Sequence, residues 1–284
     1  MTSVLITGAS GFIGRSLIYE LERQGISTIA PSSAHGRVED EQFWSALPRA
    51  DQLVHLAAKS VVPDSWRNPL LQLQVNVIGT AHAVQYCQRN NSRLIVLSSF
   101  IYDTKTGAPF VETDSLAPHN PYGLSKLLAE QLAMSFSDFW SIPLVTLRVA
   151  NVFGPGQSSE FLIPSIINQV CNNKSVEIHD GTPRRDFLFI EDLIEVLVRL
   201  INQDTVNGVF NVGSGTSHSV QRVVEIAQEL AGTTLPVVCR NEVRDNEILD
   251  SQVDISKLSN ALLWQPRWSL RTGLQILLDE CQRN

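Results

Sequence analysis

Short apolar runs alternate with longer amphipathic stretches along the first half of the chain. Val4-Leu5-Ile6 has the length and branching of a buried strand, and a helical pattern follows it through Leu17 and Leu21. Such an alternation of strands and helices predicts an α/β fold built on a parallel sheet. Further strands are predicted at 26–30, 51–56, 93–97 and 143–148, and helices at 39–47 and 70–90.

The first predicted strand runs directly into three glycines, Gly8, Gly11 and Gly14. Gly8 allows a tight turn, Gly11 lets a pyrophosphate approach the backbone, and Gly14 lets the next helix pack on the strand. The N-terminus of that helix offers unpaired N–H groups and the positive end of its dipole. The stretch therefore predicts a dinucleotide-binding turn in a Rossmann-type doubly wound sheet. We assign cofactor contacts here to Gly8, Ser10, Gly11, Phe12, Ile13 and Gly14.

The alternation weakens after residue 150, which indicates a second domain. A strand, a helix over 191–202 and a strand over 209–213 then return to the first pattern. We expect a nucleotide-binding domain over 1–150, completed by 186–213. The remaining segments, 151–185 and 214–284, are expected to form a smaller α/β substrate-binding domain.

Composition excludes several classes of protein. The chain has 284 residues, a net charge of −7 and a pI near 5.4, which argues against a nucleic-acid-binding surface. No apolar run is long enough to span a membrane, and the first strand begins at once, so no signal peptide is expected. The four cysteines are far apart and form no C-x-x-C pair. We expect reduced thiols in a cytoplasmic protein, with no disulfide and no metal site.

The spacing Gly-x-x-Gly-x-x-Gly resembles the extended branch of the short-chain dehydrogenase/reductase superfamily, whose members act on nucleotide sugars. Other segments are similar to motifs of its NAD-dependent epimerase/dehydratase family, and together they cover essentially the whole chain. They are H-x-A-A at 55–58, N-V-x-G-T at 76–80, N-P-Y-G-x-S-K at 120–126, R-D-F-x-x-x-x-D-L at 185–193, N-V-G at 211–213 and a closing W-x-P at 264–266, preceded by Leu263 where the family has Gly.

Tyr122 and Lys126 are the candidate proton-transfer residues. They are four apart on a predicted helix, so both side chains lie on one face. A nearby ammonium group is expected to lower the pKa of the Tyr122 phenol from its ordinary value of about 10, which makes it a usable general base. A lone Y-x-x-x-K is common on helix surfaces. The glycine turn and a serine-bearing strand end favour the catalytic interpretation here.

The resemblance implies a third catalytic residue, the second serine or threonine of the pair that closes the fourth strand. Strand alignment assigns this role to Ser99, whereas counting back from Tyr102 would choose Ser98. Sugar 4,6-dehydratases carry an Asp-Glu pair immediately after this residue. Phe100 and Ile101 stand there in this chain and cannot transfer protons, so a dehydratase is not expected.

The second predicted strand is not followed by the carboxylate that usually accepts the ribose hydroxyls of NAD. Ser32, Ser33, His35 and Arg37 follow it instead and can receive a 2′-phosphate, although a solvated loop with an incidental arginine is the alternative. We expect NADP(H) to bind at least as well as NAD(H). The other expected cofactor contacts are Leu56, Ala57, Ala58, Lys59, Asn76, Leu97, Tyr122, Lys126 and Val149.

The resemblance also implies a substrate, a nucleoside-diphosphate sugar. Asn151 and Arg185 match family positions that contact its diphosphate, Arg244 is a further candidate, and Ser99 orients the reacting oxygen. The expected reaction is hydride transfer at C4 of the sugar, with a 4-ketoreductase favoured over a 4-epimerase that retains NAD. A non-catalytic dinucleotide-sensing protein is the alternative from another class, although such proteins usually lose the Tyr or the Lys.

A homodimer is expected from the helices over 76–88 and 122–134. In the family these two helices pair across a two-fold axis into a four-helix bundle. Burial of both faces within one subunit is the alternative. The second helix carries apolar residues on more than one face, namely Leu127, Leu128, Leu132, Ala133 and Met134.

Overall fold

A computed structural model of the protein describes residues 2–103, 107, 109–240 and 248–283. Contacts between residues divide the chain into two compact units. The first unit is formed by Met1–Asp103, Glu112–Val149 and Ile194–Phe210, and the second by Thr104–Val111, Ala150–Leu193 and Asn211–Asn284.

A six-stranded sheet has the strand order β2-β1-β3-β4-β5-β9, and its first five strands lie in the first unit. The neighbours β1–β2, β1–β3, β3–β4 and β4–β5 all pair in parallel. The predicted doubly wound parallel sheet is therefore confirmed. The strands are β1 (Ser3–Thr7), β2 (Ser27–Ile29), β3 (Gln52–His55), β4 (Arg93–Ser99), β5 (Leu144–Val149) and β9 (Gly208–Val212).

Helices connect these strands. The helical stretch predicted over 70–90 is divided into α4 (Pro69–Leu73), a π-helical turn and α5 (Gly79–Asn90), which follow one another directly. The helix predicted over 39–47 is the shorter α2 (Glu41–Ser45). The helices up to β5 are α1 (Phe12–Arg23), α2 (Glu41–Ser45), α3 (Val62–Arg67), α4 (Pro69–Leu73), the π-helix Gln74–Ile78, α5 (Gly79–Asn90) and α6 (Pro121–Trp140), and α8 (Ile190–Asn202) precedes β9.

The N-terminus of α6 follows from local sequence. Asn120 has extended backbone angles, and its side chain accepts a hydrogen bond of 2.8 Å from the Gly123 N–H. Pro121 occupies the first turn, where its missing N–H costs no intrahelical hydrogen bond. An Asn cap of this kind stabilises a helix by about 1 kcal/mol and fixes where it begins. The register of the catalytic candidates on α6 is set in this way.

Arg93 and Gln52 attach the segment after α8 to the first unit. The buried guanidinium group of Arg93 donates to the carbonyl oxygens of Leu200 and Val206. The Gln52 amide donates to the Ile201 carbonyl at 2.8 Å. These side chains satisfy the Leu200 and Ile201 carbonyl groups at the end of α8, which the helix itself leaves unpaired, and the Val206 carbonyl in the segment after it.

The second unit contains two small sheets. One has the order β10-β8-β6, in which β10 is antiparallel and β6 parallel to β8, and the other pairs β7 with β11 in parallel. Its strands are β6 (Asn151–Phe153), β7 (Val176–Ile178), β8 (Arg184–Phe189), β10 (Ser217–Ser219) and β11 (Val237–Cys239), and its other helices are α7 (Leu162–Cys171), α9 (Val220–Ala231), α10 (Ser256–Leu262) and α11 (Leu270–Arg283).

The strand β8 differs from what the sequence pattern predicts. The segment 186–213 is expected to complete the nucleotide-binding domain, but β8 pairs with β6 and β10 in the second unit. The first unit receives only Ile194–Phe210 from it. A buried strand has the same hydrophobic pattern in either sheet, and this pattern does not indicate which strands pair with it. The assignment of the two units to cofactor and substrate stays a prediction.

The closing W-x-P segment is held by Asp192 of the R-D-F-x-x-x-x-D-L motif. The buried Asp192 carboxylate accepts hydrogen bonds from the backbone N–H groups of Arg267 (2.9 Å) and Trp268 (3.1 Å). Trp264 is buried and the Trp268 ring lies 5.0 Å from that of Phe189. Two motifs distant in sequence therefore form one structural contact in the second unit.

None of the helices in the described part of the chain has the length and apolar character needed to cross a lipid bilayer.

Leu263 ends α10 in the left-handed conformation, with φ of +50°, and its side chain is 87% exposed. This is the position where the family motif has glycine. Left-handed backbone angles cost an ordinary L-residue roughly 1 kcal/mol relative to glycine.

We expect Leu263→Gly to stabilise the protein against unfolding by about 0.5–1 kcal/mol, because the exposed side chain contributes little and the strain is removed. Denaturant unfolding measures the change. Leu263→Ala is the matched control, since it removes the same side chain but keeps the unfavourable angle. An equal gain in both variants would assign the effect to the side chain instead.

Candidate active site

The glycine turn leaves no room for side chains. A Cβ atom on Gly8 would lie 2.7 Å from the Ala57 nitrogen and 2.8 Å from the Leu56 carbonyl carbon, and its φ is +68°. A Cβ atom on Gly14 would lie 2.3 Å from the Gly8 oxygen and 2.8 Å from Ala9 Cα. Gly8 and Gly14 are therefore required by close approach of backbone to backbone.

This turn fits a dinucleotide. Gly11 is the N-cap of α1 and no side chain caps the helix there, so the first turn keeps its N–H groups directed at the glycine loop. A pyrophosphate is the group that such a side-chain-free helix N-terminus accommodates. Ser10, Phe12 and Ile13 belong to the same turn and first helical turn.

The end of β3 is tied to the end of β1. Thr7 Oγ1 lies 2.8 Å from Nδ1 of His55 and accepts a hydrogen bond of 3.3 Å from the Ala57 N–H. Burial, with a smaller contribution from the positive charge of Lys126, lowers the pKa of His55 to about 3. The imidazole is therefore neutral at ordinary pH. The Thr7 hydroxyl, which contacts this imidazole, accepts the Ala57 N–H and so ties the chain after β3 to the end of β1.

Asn76 lies in the π-helical turn and joins three elements. Its Oδ1 accepts from the Lys59 N–H at 2.8 Å, and its Nδ2 donates to the Lys59 carbonyl at 3.0 Å and to Ser125 Oγ at 2.8 Å. Ser125 in turn donates to the carbonyl of Tyr122 at 2.7 Å. Asn76 thus supports the backbone that carries the candidate residues, and the buried amide is fully used.

Ser99, Tyr122 and Lys126 come together at the carboxyl end of β4. Burial raises the pKa of the Tyr122 phenol, while a hydrogen bond from Ser99 opposes that rise. Lys126 Nζ donates to the carbonyl of Leu97, and burial lowers the pKa of Lys126 to about 8. On the adjacent strand β5, Val149 is the register partner of Ser99.

The expected effect of Lys126 on Tyr122 is not what the structure has. The sequence predicts that the ammonium group lowers the pKa of the phenol, but burial dominates and the pKa is raised. The Lys126 ammonium group is directed at a main-chain carbonyl instead. Tyr122 therefore carries its proton at neutral pH.

Ser98 and Ser99 point to opposite sides of β4, as neighbours on a strand do. Ser98 Oγ is buried and has no hydrogen-bond partner among the described residues. Ser99 is the one that hydrogen-bonds Tyr122. The geometry therefore favours the strand alignment over the count from Tyr102.

The loop after β2 holds several polar side chains, and two of them, Ser32 and His35, are hydrogen-bonded to each other. Ser32 Oγ lies 3.1 Å from His35 Nδ1, and the Ser32 N–H donates to the same nitrogen at 3.2 Å. Arg37 is 75% exposed, and its Nη1 lies 3.8 Å from Glu39 Oε1. Glu39 is a carboxylate that the sequence pattern does not single out. The Ser33 side chain lies outside the described residues.

The candidate diphosphate residues belong to the second unit. Asn151 Nδ2 donates to the Asp186 carbonyl at 3.3 Å, on the strand next to it. Arg185 Nη1 donates to the carbonyls of Ile248 (2.7 Å) and Arg184 (2.8 Å). Arg244 lies outside the part of the chain that the structure describes.

Comparison with known proteins identifies the family. The model of the NAD dependent epimerase/dehydratase family matches residues 4–213, which include the glycine turn, Ser99, Tyr122, Lys126 and the N-V-G strand. The chain belongs to this family.

Members of the epimerase/dehydratase family with different activities match nearly the full chain. GDP-6-deoxy-D-mannose reductase of Pseudomonas aeruginosa is 27% identical over 295 residues, which cover 98% of this chain and 96% of that protein. UDP-glucose 4-epimerase of Halalkalibacterium halodurans is 25% identical over 313 residues, covering 96% and 93%. The solved structure of RMD from Pseudomonas aeruginosa complexed with NADPH has a TM-score of 0.91 at 26% identity, covering 100% and 99% of the two chains.

The role of Asp186 in this protein is not visible in the sequence pattern. Its buried carboxylate accepts from the Ser214 N–H (2.7 Å), the Ser214 hydroxyl (2.7 Å) and the Gly215 N–H (3.0 Å). A Cβ atom on Gly213 would lie 2.6 Å from Asp186 Oδ2. The R-D-F and N-V-G motifs therefore meet at this carboxylate within the second unit.

Glu130 and Arg148 form a buried ion pair that the sequence pattern also does not reveal. Arg148 Nη2 lies 2.5 Å from Glu130 Oε1, and the two side chains are 5% and 1% exposed. The available signal is weak. It consists of a glutamate one turn after Lys126 on α6 and an arginine inside the apolar strand β5.

Proposed function

We propose that this protein is an NAD(P)-dependent oxidoreductase that transfers hydride at C4 of a nucleoside-diphosphate sugar, as a 4-ketoreductase. The observation that carries the proposal is the grouping of Ser99, Tyr122 and Lys126 at the end of β4, behind a turn built for a dinucleotide. When bound, the nicotinamide cofactor supplies the hydride that adds to the sugar carbonyl carbon.

The side chains supply the proton and the orientation. The Ser99 hydroxyl donates a hydrogen bond to the carbonyl oxygen of the substrate, and the Tyr122 hydroxyl delivers the proton that turns this oxygen into an alcohol. The Lys126 ammonium group stabilises the phenolate that Tyr122 becomes. Asn76 keeps Ser125 and Lys59, and with them the backbone of this group, in place.

The raised pKa of Tyr122 supports reduction in particular. A phenol that keeps its proton is ready to donate it, as ketone reduction requires. The relative named GDP-6-deoxy-D-mannose reductase and the NADPH complex of RMD support the same direction. The 4-epimerase named among the relatives keeps the second candidate open, an epimerase with retained NAD. Arg185 and Asn151 are the residues that we propose for the substrate diphosphate.

A dehydratase is disfavoured by the side chains that follow Ser99. Ile101 is buried, and the Phe100 ring packs edge-on against Tyr102 at 5.4 Å. These apolar groups cannot serve as the acid and base that dehydration needs.

We expect Tyr122→Phe to lower the rate of NADPH-dependent reduction of a nucleoside-diphosphate 4-keto-6-deoxyhexose by a factor on the order of 10² or more, because the proton donor is lost. Cofactor affinity, measured by calorimetry, should change little. Ser99→Ala should also lose activity, and Ser98→Ala is its matched control. Activity lost in Ser98→Ala and kept in Ser99→Ala would reverse the assignment of the two serines.

The same preparation separates the two reactions. Nucleotide released by acid from the purified protein is assayed for NAD and NADP. One equivalent of NAD per chain, together with epimer formation without added cofactor, would identify a 4-epimerase and refute the ketoreductase.

We propose that NADP(H) binds at least as well as NAD(H). The segment after β2 offers Ser32, His35 and the largely exposed Arg37, and an arginine suits a 2′-phosphate. Glu39, 3.8 Å from Arg37, opposes this by pairing with the same guanidinium group.

Arg37→Ala is expected to weaken NADPH binding about tenfold, the loss of one charge-assisted phosphate contact, and to leave NADH binding unchanged. Glu39→Gln is the matched variant and should strengthen NADPH binding, because Arg37 is released. Isothermal calorimetry with both cofactors measures these changes. A preference for NADH that persists in Arg37→Ala would contradict the proposal.

We propose that the protein is a homodimer through the α5–α6 face. Leu127 and Ala133 are buried within the subunit, but Leu124 and Leu128 of α6 are 46% and 38% exposed and lie one turn apart. Ile78, Leu70 and Trp66 are also exposed on segments that precede α6 in the same unit. These segments pack against α6, and a group of exposed apolar side chains on neighbouring elements is typical of an interface between subunits.

Leu124→Glu combined with Leu128→Glu is expected to produce a monomer, because like charges would then meet across the two-fold axis. Multi-angle light scattering measures the mass. Leu263→Glu, which places the same charge at another exposed leucine, should leave the dimer intact. A wild-type monomer at micromolar concentration would contradict the proposal.

A further inference from the structure

Tyr122, Lys126 and Glu130 recur at intervals of four along α6. Residues four apart on a helix lie on one face, one turn above the other. Glu130 is buried, so the helix buries a carboxylate one turn beyond its lysine. A carboxylate in that position is costly unless an opposite charge and hydrogen bonds compensate it.

Arg148 on β5 provides the compensation. Its Nε donates to Glu130 Oε1 at 3.0 Å and its Nη2 donates to the same oxygen at 2.5 Å, with Oε2 at 3.3 Å from Nε. Such a forked contact fixes both position and orientation of the carboxylate. Arg148 is the sheet partner of Ser98, so the fork is anchored beside the strand that carries Ser99.

The same guanidinium group holds the chain around β4. Its Nη1 donates to Tyr102 Oη at 3.1 Å and to the Glu112 carbonyl at 2.9 Å, and its Cζ lies 5.1 Å from the centroid of the Tyr102 ring. The Nε, Nη1 and Nη2 groups of Arg148 therefore all donate to partners inside the first unit. Glu130 cannot swing away without disrupting this set of contacts.

Lys126 experiences two opposing effects. Burial lowers the pKa of its ammonium group and the negative charge of Glu130 raises it, and the net result is a pKa of about 8. The other ionisable groups on α6 are Tyr122 and Asp138. On the elements packed against α6 they are Asp64 and Arg67 on α3, which pair with each other at the surface, His82, Tyr86, Cys87 and Arg89 on α5, Arg93 on β4 and Arg148 on β5, and His55 lies on β3.

Glu130 is the carboxylate in this surrounding that favours the charged form of Lys126. His55 is neutral, Tyr122 keeps its proton, and Arg148 is cationic and committed to Glu130. We propose that Glu130, held by Arg148, is a positioning residue whose carboxylate keeps Lys126 positively charged during proton transfer by Tyr122. The proposal rests on the function proposed above, in which Lys126 stabilises the phenolate.

A purely structural role for the ion pair makes a different prediction. Breaking a buried pair by removing one partner is strongly destabilising, whereas replacing both partners by uncharged groups of similar volume is often tolerated. A pair that serves stability alone would therefore be replaceable with no effect on Lys126, at the loss only of the contacts of Arg148 to Tyr102 and Glu112. A pair that acts on Lys126 would not be, because the double replacement still removes the carboxylate.

The test measures the titration of Lys126 by NMR in protein labelled with [¹³C]lysine. The chain has five lysines, so the Cε signals are few, and Lys126→Arg assigns the one that matters. The variants are Glu130→Gln and the double variant Glu130→Gln/Arg148→Met. Glu195→Gln is the matched control, because Glu195 pairs with Arg199 at 2.7 Å on α8 in the same unit.

We expect Lys126 to titrate at lower pH in both Glu130 variants and at the wild-type pH in Glu195→Gln. The double variant should regain part of the melting temperature lost in Glu130→Gln, because no unpaired charge is left buried, but not the titration of Lys126. The alkaline limb of kcat/KM should move to lower pH in the same variants, with about a tenfold loss above the limb for each pH unit of displacement. A folded double variant in which Lys126 titrates as in the wild type would overturn the proposal.

The NMR measurement needs no substrate, so it separates the two proposals. Full activity of Tyr122→Phe would remove the proposed reaction mechanism whatever Lys126 does. An unchanged Lys126 titration, with Tyr122→Phe and Lys126→Ala inactive, would leave the mechanism standing and remove Glu130 from it.

Discussion

The close approach of backbone to backbone at the glycine turn is the constraint on which the first unit depends. Gly14 brings α1 against the turn at Gly8, and Gly8 brings that turn against the end of β3 at Leu56–Ala57. Added methyl groups would meet main-chain atoms, which cannot rotate away as a side chain can. Because β1, α1 and β3 converge at one point, the helix N-terminus and the small residues after β3 border the same space, which a dinucleotide needs.

Polar groups around this point are held mostly by main-chain partners. Asn76 binds both the N–H and the carbonyl of Lys59, and Lys126 donates to the carbonyl of Leu97. Main-chain groups move less than side chains, so they fix the candidate residues more firmly. In the second unit, Asp186 binds N–H groups of Ser214 and Gly215 in the same way. Many residues of the sequence motifs therefore have a structural role, because their side chains bind main-chain groups.

Local signals in the sequence predict the features that depend on local geometry. Glycine spacing, strand-and-helix alternation and the Tyr122/Lys126 interval each reflect the geometry of one turn or one helix, and the parallel sheet with its glycine turn is confirmed. The Glu130–Arg148 pair and the sheet to which β8 belongs depend on partners distant in the chain, which no local pattern specifies.

The pKa of Tyr122 also depends on surroundings that the local sequence does not specify. The interval to Lys126 is visible in the sequence, and it predicts a lowered pKa from the neighbouring positive charge. Burial, which is a property of the folded surroundings, has the larger effect and raises the pKa. Features set by residues close in sequence could be predicted, whereas features set by the folded surroundings could not.

The opposite effects of burial on Tyr122 and Lys126 bear on the direction of the reaction. Both groups ordinarily titrate near pH 10, but burial raises the pKa of the phenol and lowers that of the ammonium group to about 8. Lys126 therefore loses its proton before Tyr122 does as the pH rises. A state in which Tyr122 is a phenolate beside a charged lysine, the base needed to oxidise an alcohol, is disfavoured in the protein alone. A protonated phenol beside a charged lysine is favoured below about pH 8, and that state donates a proton to a ketone. The oxidation step of an epimerisation needs the disfavoured state, whereas ketone reduction begins from the favoured one, and this difference is the physical argument for the proposed ketoreductase.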